Sequence, residues 1–310
     1  MINTITLNPA IDHIIYLNRF VRDITNRIRG TQITMGGKGT HVSLNLKLMG
    51  SPSRAFGFGF GATGREIIDM LEKGGVEPYF IFDENRESRT NYLIVEEETK
   101  HATLVADKGP LPTDDQVAAF CDLMRDTVQP GDYLVFSGDT SNFPDPGIYN
   151  KLTDLLEGRD LRIFLDASGK TFESSLEKSP FLIKPNAEEL SVLLGRRLVS
   201  DADVIGAIRE LDRYHIEVVA VSLGGEGSIV RADDQLFRVR PPKVNVYNTV
   251  GCGDCYLGGL LHGFERGMNI EDTLRYATAV SAATAESALS VFFDVNRAEE
   301  LLDQVDIRRI

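Results

Sequence analysis

Asn248-Thr249-Val250-Gly251-Cys252-Gly253-Asp254-Cys255 stands between an extended segment, Val244 to Val246, and an apolar run, Tyr256 to Phe264, that spaces like a helix. Two glycines in three positions at a helix start aim unpaired backbone N–H groups at one point, and the helix dipole adds partial positive charge there. Such a point suits a phosphate. An Asp beside it makes a poor anion ligand but a sensible base. It can take a proton from a hydroxyl while the amides hold the phosphoryl group under attack. The alternative is local: Asp is among the favoured N-cap residues, so Asp254 could simply close its helix.

Upstream, helix-like and strand-like segments alternate from residue 113 onward. The spacing predicts helices over Asp114 to Thr127, Pro146 to Leu156 and Val204 to Tyr214. Strands are expected over Tyr133 to Ser137, Leu161 to Asp166, Phe181 to Lys184 and Val218 to Ser222. That alternation calls for a mostly parallel sheet covered on both faces. Gly227 to Arg231 and Leu236 to Val239 read as an edge hairpin, and two long helices follow Thr249, the first stopping near Gly267. Nearer the start, Ile2 to Leu7 is a first strand, with Asp12 expected on the loop after it. Four further strands fall in two pairs, Ile14 to Leu17 with Ile28 to Met35 and Arg89 to Glu97 with His101 to Ala106, the latter turning at Glu98-Thr99-Lys100. No helix separates the members of a pair, so they cannot join a parallel sheet. They are expected to form a small antiparallel sheet that acts as a lid, a surface for a second copy of the chain, or both.

Three more glycine or helix-start motifs lie beside predicted strand ends, where α/β sheets bind ligands. Gly36-Gly37-Lys38-Gly39-Thr40-His41 opens a helix with a Lys at its mouth, but lacks the Walker A pattern because Gly follows the Lys. Lys184-Pro185-Asn186-Ala187-Glu188-Glu189 puts an amide and a carboxylate three apart at a helix start. They can hold waters on Mg²⁺, or form a capping pair, or both. Ser222-Leu223-Gly224-Gly225-Glu226-Gly227 is a glycine turn after a buried strand, able to approach a nucleotide or merely to enter a hairpin. A competing motif is Gly59-Phe60-Gly61-Ala62-Thr63-Gly64, which matches the dinucleotide fingerprint and has Asp83 about 20 residues on, where a ribose-binding acid would stand. A nicotinamide-dependent dehydrogenase is therefore the rival from another class.

Composition limits the partners. The net charge of −13 argues against nucleic acid or an anionic membrane as the main partner. No stretch approaches the roughly 20 apolar residues needed to span a bilayer. Cys121, Cys252 and Cys255 are too few for a disulfide framework, and no cationic, apolar leader precedes the first strand, which points to the cytoplasm. Cys252 and Cys255 form a C-x-x-C at a helix start, so an oxidant-driven link that distorts the anion loop is a further reading.

Taken together, Gly36-Gly37-Lys38-Gly39, Lys184-Pro185-Asn186-x-x-Glu189, Ser222-Leu223-Gly224-x-x-Gly227 and Asn248-Thr249-Val250-Gly251-x-Gly253-Asp254 resemble the PfkB (ribokinase-like) sugar kinases. The opening Thr6-Leu7-Asn8-Pro9-Ala10-Ile11-Asp12 makes the chain similar to the branch holding 1-phosphofructokinase and tagatose-6-phosphate kinase. The resemblance spans essentially the whole chain. It implies a three-layer α/β/α sandwich with a mostly parallel central sheet and a small antiparallel β lid. That is one kinase domain over residues 1–310, with lid insertions at about 13–35 and 88–106. It further implies ATP- and Mg²⁺-dependent phosphorylation of a ketohexose phosphate, or, in the same fold, of an unphosphorylated sugar or nucleoside. Asp254 would be the base and Gly251, Cys252 and Gly253 the anion hole. Lys184, Asn186, Glu189, Asn248, Gly253 and the turn Ser222, Leu223, Gly224, Gly225, Glu226, Gly227 would serve ATP, with Asn186 and Glu189 reaching Mg²⁺ through water. Asp12, Gly36, Gly37, Lys38 and His41 would hold the sugar, and Arg27 and Arg89, from the lid strands, a phosphate already on it. His41 stands where the family usually has Asn, Cys252 where it usually has Ala. Ser137-Gly138-Asp139-Thr140-Ser141 and Ala106-Asp107-Lys108-Gly109-Pro110 also depart from the branch pattern on the substrate side.

Overall fold

Uninterrupted apolar runs such as Val218-Val219-Ala220-Val221 form the middle of a ten-stranded sheet. Both of its faces are covered there, so period-2 alternation disappears. The computed structural model describes residues 1–99, 101–138, 140–287 and 292–310. Lys100, in the expected hairpin turn, and Asp139 lie outside the described residues.

The first half of the chain runs β1 (Ile2–Thr6), β2 (Ala10–Leu17), β3 (Gly30–Gly36), α1 (Lys38–Leu48), β4 (Ser53–Phe60) and α2 (Gly61–Lys73). It continues through β5 (Glu77–Asp83), β6 (Arg89–Glu96), β7 (Ala102–Val105) and α3 (Asp114–Thr127). The second half begins β8 (Tyr133–Ser137), α4 (Ile148–Leu155), β9 (Arg162–Asp166), α5 (Gly169–Ser175), β10 (Leu182–Ile183), α6 (Ala187–Leu194) and α7 (Asp201–Glu210). It ends with β11 (Val218–Ser222), β12 (Ser228–Ala232), β13 (Gln235–Arg240), α8 (Cys252–Glu265), α9 (Ile270–Ala285), α10 (Val295–Leu301) and β14 (Asp306–Arg309).

The large sheet has the order β14-β13-β12-β11-β10-β9-β8-β1-β4-β5, parallel from β5 to β11 and antiparallel from β11 to β14. One face is covered by α1, α8, α9 and α10 through Val42, Leu257, Leu260, Val280 and Leu301. The other is covered by α3 to α7 through Phe120, Leu152, Phe172, Leu190 and Ile208. Fully burying one such side chain contributes about 1.5–3 kcal/mol, so these stripes fix where each helix starts. Contact is close where α8 crosses its neighbours. A Cβ on Gly259 would meet the Ala277 backbone at 2.5 Å, and one on Gly258 would meet Met49 at 3.2 Å.

The smaller sheet has the order β3-β2-β6-β7. Its two hairpins are antiparallel, as expected, while the seam between them, β2 to β6, is parallel. Ile11 and Met35 from this lid pack with Leu44, Ile67 and Leu71, which seats it on α1 and α2.

Several sequence expectations change. Asp12 lies within β2, paired with Thr34 and Asn91, rather than on a loop, because β2 begins at Ala10 directly after the Asn8-Pro9 turn. Val244 to Val246 join no strand and pass as an unpaired segment toward α8. Arg27 is exposed on the 18–29 connection, not on a lid strand. Strand β5, which carries Pro78 and follows Gly74-Gly75, occupies a sheet edge, where a Pro is tolerated. Strand β14 forms the opposite edge with the polar sequence Asp306-Ile307-Arg308-Arg309. Neither was expected from its pattern.

Candidate active site

Because β1, β8, β9, β10 and β11 are parallel, their carboxyl ends share one rim. Ser137, Asp166, Lys184 and Ser222 stand on it, and the N-termini of α1 and α8 meet there. Gly251 adopts the left-handed conformation (φ 81°) as N-cap of α8, a geometry glycine enters without a Cβ penalty. Asp254 therefore falls inside the first turn and makes no cap bond, which removes the local capping reading. Among the described residues the amides of Gly251 and Gly253 form no hydrogen bond, whereas those of Asp254 and Cys255 bond back to Gly251 O. Two free amides at a helix N-terminus are the donors an incoming phosphoryl group needs.

Asp254 is 8% exposed and its Oδ2 lies 2.7 Å from His41 Nδ1. His41 Nε2 donates to the carbonyl of Met35, in β3, at 2.6 Å. His41, expected to touch the sugar, thus has both ring nitrogens engaged by the protein. Burial opposes its charged form more than any single contact favours it, but the bond to Asp254, the Asp254 charge, the Met35 carbonyl and Asp12 together outweigh burial and push the imidazole above its ordinary value.

A second charged group sits alongside. Lys38 Nζ donates to Asp166 Oδ1 at 2.9 Å, and Lys184 Nζ lies 3.3 Å from Asp166 Oδ2. Burial disfavours the Lys38 ammonium, yet Asp166, Glu189 and Asp254 together hold it charged well above the ordinary lysine range. Burial alone would raise Asp166, and the two lysines override it and hold its carboxyl below the ordinary range. Lys184 Nζ also faces Gly253, 3.6 Å from where a Cβ would stand, so one cation borders this glycine loop. Asp166 was not among the sequence candidates. Its available signal is an acid closing an apolar strand of an α/β sheet.

Asn186 and Glu189 form a complete capping box: Asn186 Oδ1 accepts from Glu189 N at 2.8 Å and Glu189 Oε2 accepts from Asn186 N at 2.9 Å. Glu189 Oε1 stays out of the cap, 3.8 Å from Lys38 Nζ. Asp12 accepts from Asn91 at 2.8 Å and lies over Gly36, where a Cβ would come within 2.2 Å of its carboxylate. Arg89 is buried at the base of the lid, its Nη1 directed at Asp107 O. No contact among the described residues joins Arg27 to this set.

Beside Gly253 opens a cleft of about 810 Å³ lined by Gly224, Gly225, Val246, Thr249, Tyr256 and Ala282, among others. A Cβ on Gly224 or Gly225 would meet nothing within 4 Å, so that turn is open to a ligand, whereas one on Gly227 would strike Val239 O at 2.1 Å. Leu223 instead packs on the core, and Asn248 spends its side chain bracing the loop, accepting from Val250 N and donating to Ser287 O. A slightly larger cleft, about 920 Å³, lies around the Asp233-Asp234 turn and the start of β11, at the opposite strand ends, and contains none of these motifs.

The dinucleotide reading fails on geometry as well as position. Gly59 and Phe60 end β4 and Gly61 starts α2, but the N-terminus of α2 already holds an anion: Glu87 accepts from Ala62 N at 3.2 Å and Thr63 N at 3.0 Å. Asp83 is likewise engaged, by Asn85, Arg86 and Gln116. The surroundings of both thiols disfavour the thiolate that the oxidant reading needs. Burial and the Asp254 charge push the Cys252 thiol up to about 12, and burial also raises Cys255, which is 0% exposed.

The chain is similar to known proteins along nearly its whole length. The model of the pfkB family of carbohydrate kinases matches residues 5–293. The chain is 30% identical over 299 residues to a 1-phosphofructokinase of Borreliella burgdorferi, covering 96% of each chain. It is 29% identical over 310 residues to a 1-phosphofructokinase of Bacillus subtilis, covering both in full. Among solved structures, a putative phosphofructokinase from Staphylococcus aureus superposes with a TM-score of 0.80 at 32% identity, covering 100% of this chain and 99% of that one. Phosphofructokinase-2 from Escherichia coli, at 23% identity and 98% coverage of both chains, shares the fold with a TM-score of 0.90.

Proposed function

This chain belongs to the pfkB family of carbohydrate kinases, and we propose on that premise that it phosphorylates a ketohexose phosphate, with ATP as donor. Fructose 1-phosphate and tagatose 6-phosphate are examples of the acceptor this reading names. The observation that carries this reading is the placement of Asp254: inside the first turn of α8, next to two amides that form no hydrogen bond among the described residues, and directly after Gly253, which lines the cleft.

In this reading the adenosine part of ATP lies in the cleft over Gly224 and Gly225, with its phosphates directed at Gly251 and Gly253. Asp254 takes the proton of the acceptor hydroxyl as its oxygen forms a bond to the γ-phosphorus and the bond to the β,γ-bridging oxygen breaks. Lys184 and the two amides balance the charge on the transferring group, which is the main demand of phosphoryl transfer. Asp12 and Lys38 orient the sugar, and the lid excludes water as a competing acceptor. Mg²⁺ fits the donor set at Asn186 and Glu189. Glu189 Oε1 is left over by the capping box, and no cluster of three acidic or His/Cys ligands occurs among the described residues. A metal that keeps most of its waters needs no more protein ligands than that. When bound it neutralises charge on the phosphates.

Arg89 is better placed than Arg27 for the phosphate already on the acceptor, being buried at the base of the lid. The test is ADP release on a panel of sugar phosphates and free sugars, with wild type and Arg89→Ala. A rise of about tenfold or more in KM for the best sugar phosphate, with KM for ATP unchanged, is expected from losing a charge-assisted contact. Turnover confined to unphosphorylated sugars and indifferent to Arg89→Ala would refute the acceptor class.

The lid carries a second feature. His13, Ile33, Tyr92 and Val105 are directly paired across its strands and share a face, and Ile33, Tyr92 and Val105 are 53%, 45% and 54% exposed. A row of apolar side chains on a four-stranded sheet fits a second copy of the chain, giving a homodimer through the lid. No helix of the described chain is long and apolar enough to cross a membrane.

A further inference from the structure

We infer that His41 is a positioning residue for the base: as an imidazolium, it clamps the Asp254 carboxylate and ties it to the lid strand β3. The inference rests on Asp254 acting as base, and it goes beyond that role to what holds the base in place. The hydrogen bonds dictate the protonation state. A carbonyl oxygen can only accept, so Nε2 must carry a proton to bond Met35 O at 2.6 Å. Nδ1 then stands 2.7 Å from Asp254 Oδ2, and two lone pairs cannot face each other at that distance. One proton must lie between them. If Asp254 is ionised, as a base must be, that proton belongs to Nδ1 and the ring is charged.

The surroundings favour this assignment. The charged groups facing His41 are acidic, Asp254 from α8 and Asp12 from β2, and both favour its protonated form. His41 is 5% exposed, so the pair is screened little by solvent. His41 sits in the first turn of α1 directly after the Gly36-Gly37 bend that ends β3. A single ring therefore spans lid, helix α1 and base. Among the described residues Asp254 Oδ1 forms no hydrogen bond, so that oxygen remains to receive the proton of the acceptor hydroxyl. The proton count then closes: before transfer the pair holds one proton, on Nδ1, and after transfer it holds two, on Nδ1 and Oδ1. Nothing passes to His41, which is already full.

A consequence follows at high pH. When the pair loses its proton, a lone pair on Nδ1 faces the carboxylate, the clamp opens and Asp254 leaves its position. A misplacement of about 1 Å costs on the order of 10²-fold in rate, so kcat/KM falls along an alkaline limb that begins above the ordinary imidazole range. Lys38 is held charged above even the ordinary lysine range, so its loss of charge is not what begins that limb.

The test compares wild type, H41N and H41A in pH–rate profiles, with ¹⁵N NMR of the imidazole in the wild type and in D254N. An Asn amide can donate to Asp254 but does not titrate. H41A is expected to lose on the order of 10–10²-fold in kcat, and H41N to recover most of that loss while lacking the alkaline limb. In the wild type both His41 nitrogens carry protons at neutral pH. In D254N, where an amide faces the ring, Nδ1 loses its proton. Three results each overturn the inference: an unprotonated Nδ1 in the wild type, an alkaline limb that survives in H41N, or an H41A defect confined to KM for the sugar. The NMR readout does not depend on turnover, so it separates failure of the clamp from failure of Asp254 as base.

Discussion

Replacing Asp254 by Asn removes a proton acceptor and little else. The amide keeps the size of the carboxylate and the bond to His41 reverses sense: Nε2 still donates to Met35 O, Nδ1 becomes the acceptor, and Asn Nδ2 donates to it. Both charges of the buried pair vanish together, so no lone charge is stranded, and the fold is expected to keep its stability to within about 1 kcal/mol. The free amides of Gly251 and Gly253 are backbone and do not change, so ATP affinity should hold. The chemical step should not. Loss of a positioned general base costs on the order of 10²–10⁴-fold, which is about 2.7–5.4 kcal/mol on the barrier at 1.36 kcal/mol per decade. The assay is steady-state ADP release on the best sugar phosphate, beside calorimetric titration with an ATP analogue and a thermal melt. A large fall in kcat with binding and melt preserved is the expected pattern. Turnover within about threefold of wild type would refute proton abstraction by Asp254, since nothing else on α8's first turn can take the proton.

Two further outcomes follow. Asp166→Asn leaves the Lys38 and Lys184 ammonium groups facing each other without the anion between them, so a loss of about 3–5 kcal/mol is expected from an uncompensated buried charge. Because Asp166 titrates below its ordinary value in the fold, its contribution is present above the ordinary carboxylate range. It is lost only as pH falls through that lowered value, so the wild-type advantage in a thermal melt should persist into mildly acid solution. Tyr92→Glu, on the exposed lid face, should convert a dimer to monomers in sedimentation velocity. A wild type that sediments as a monomer at every accessible concentration would overturn the lid as an interface.

Much of the fold was legible because its signals are local. Helix Asp114–Thr127 and strands Tyr133–Ser137 and Val218–Ser222 match the sequence spacing residue for residue. Length, apolar period and turn residues all lie within a few positions of each other there. The glycine motifs were legible for the same reason, since a positive φ at Gly251 or an excluded Cβ at Gly227 is a property of one turn. The edge strands were not. Strand β5 carries a Pro and three of the four residues of β14 are charged, and both gain their hydrogen bonds only from a neighbour placed by the rest of the sheet.

The sequence by itself determined an alternating α/β chain with a lid, a glycine loop opening a helix, an acid in that helix's first turn and a lysine-bearing glycine bend. Only the tertiary structure decided what those groups face. His41 and Asp254 are 213 residues apart, and Lys38 and Asp166 are 128 apart. Their meeting is a consequence of parallel strands ending on one rim, which no local pattern encodes. The same holds for Glu87, whose carboxylate fills the helix start that the dinucleotide fingerprint advertises. A motif states which backbone donors exist; the fold states whether a side chain of the same chain has already taken them.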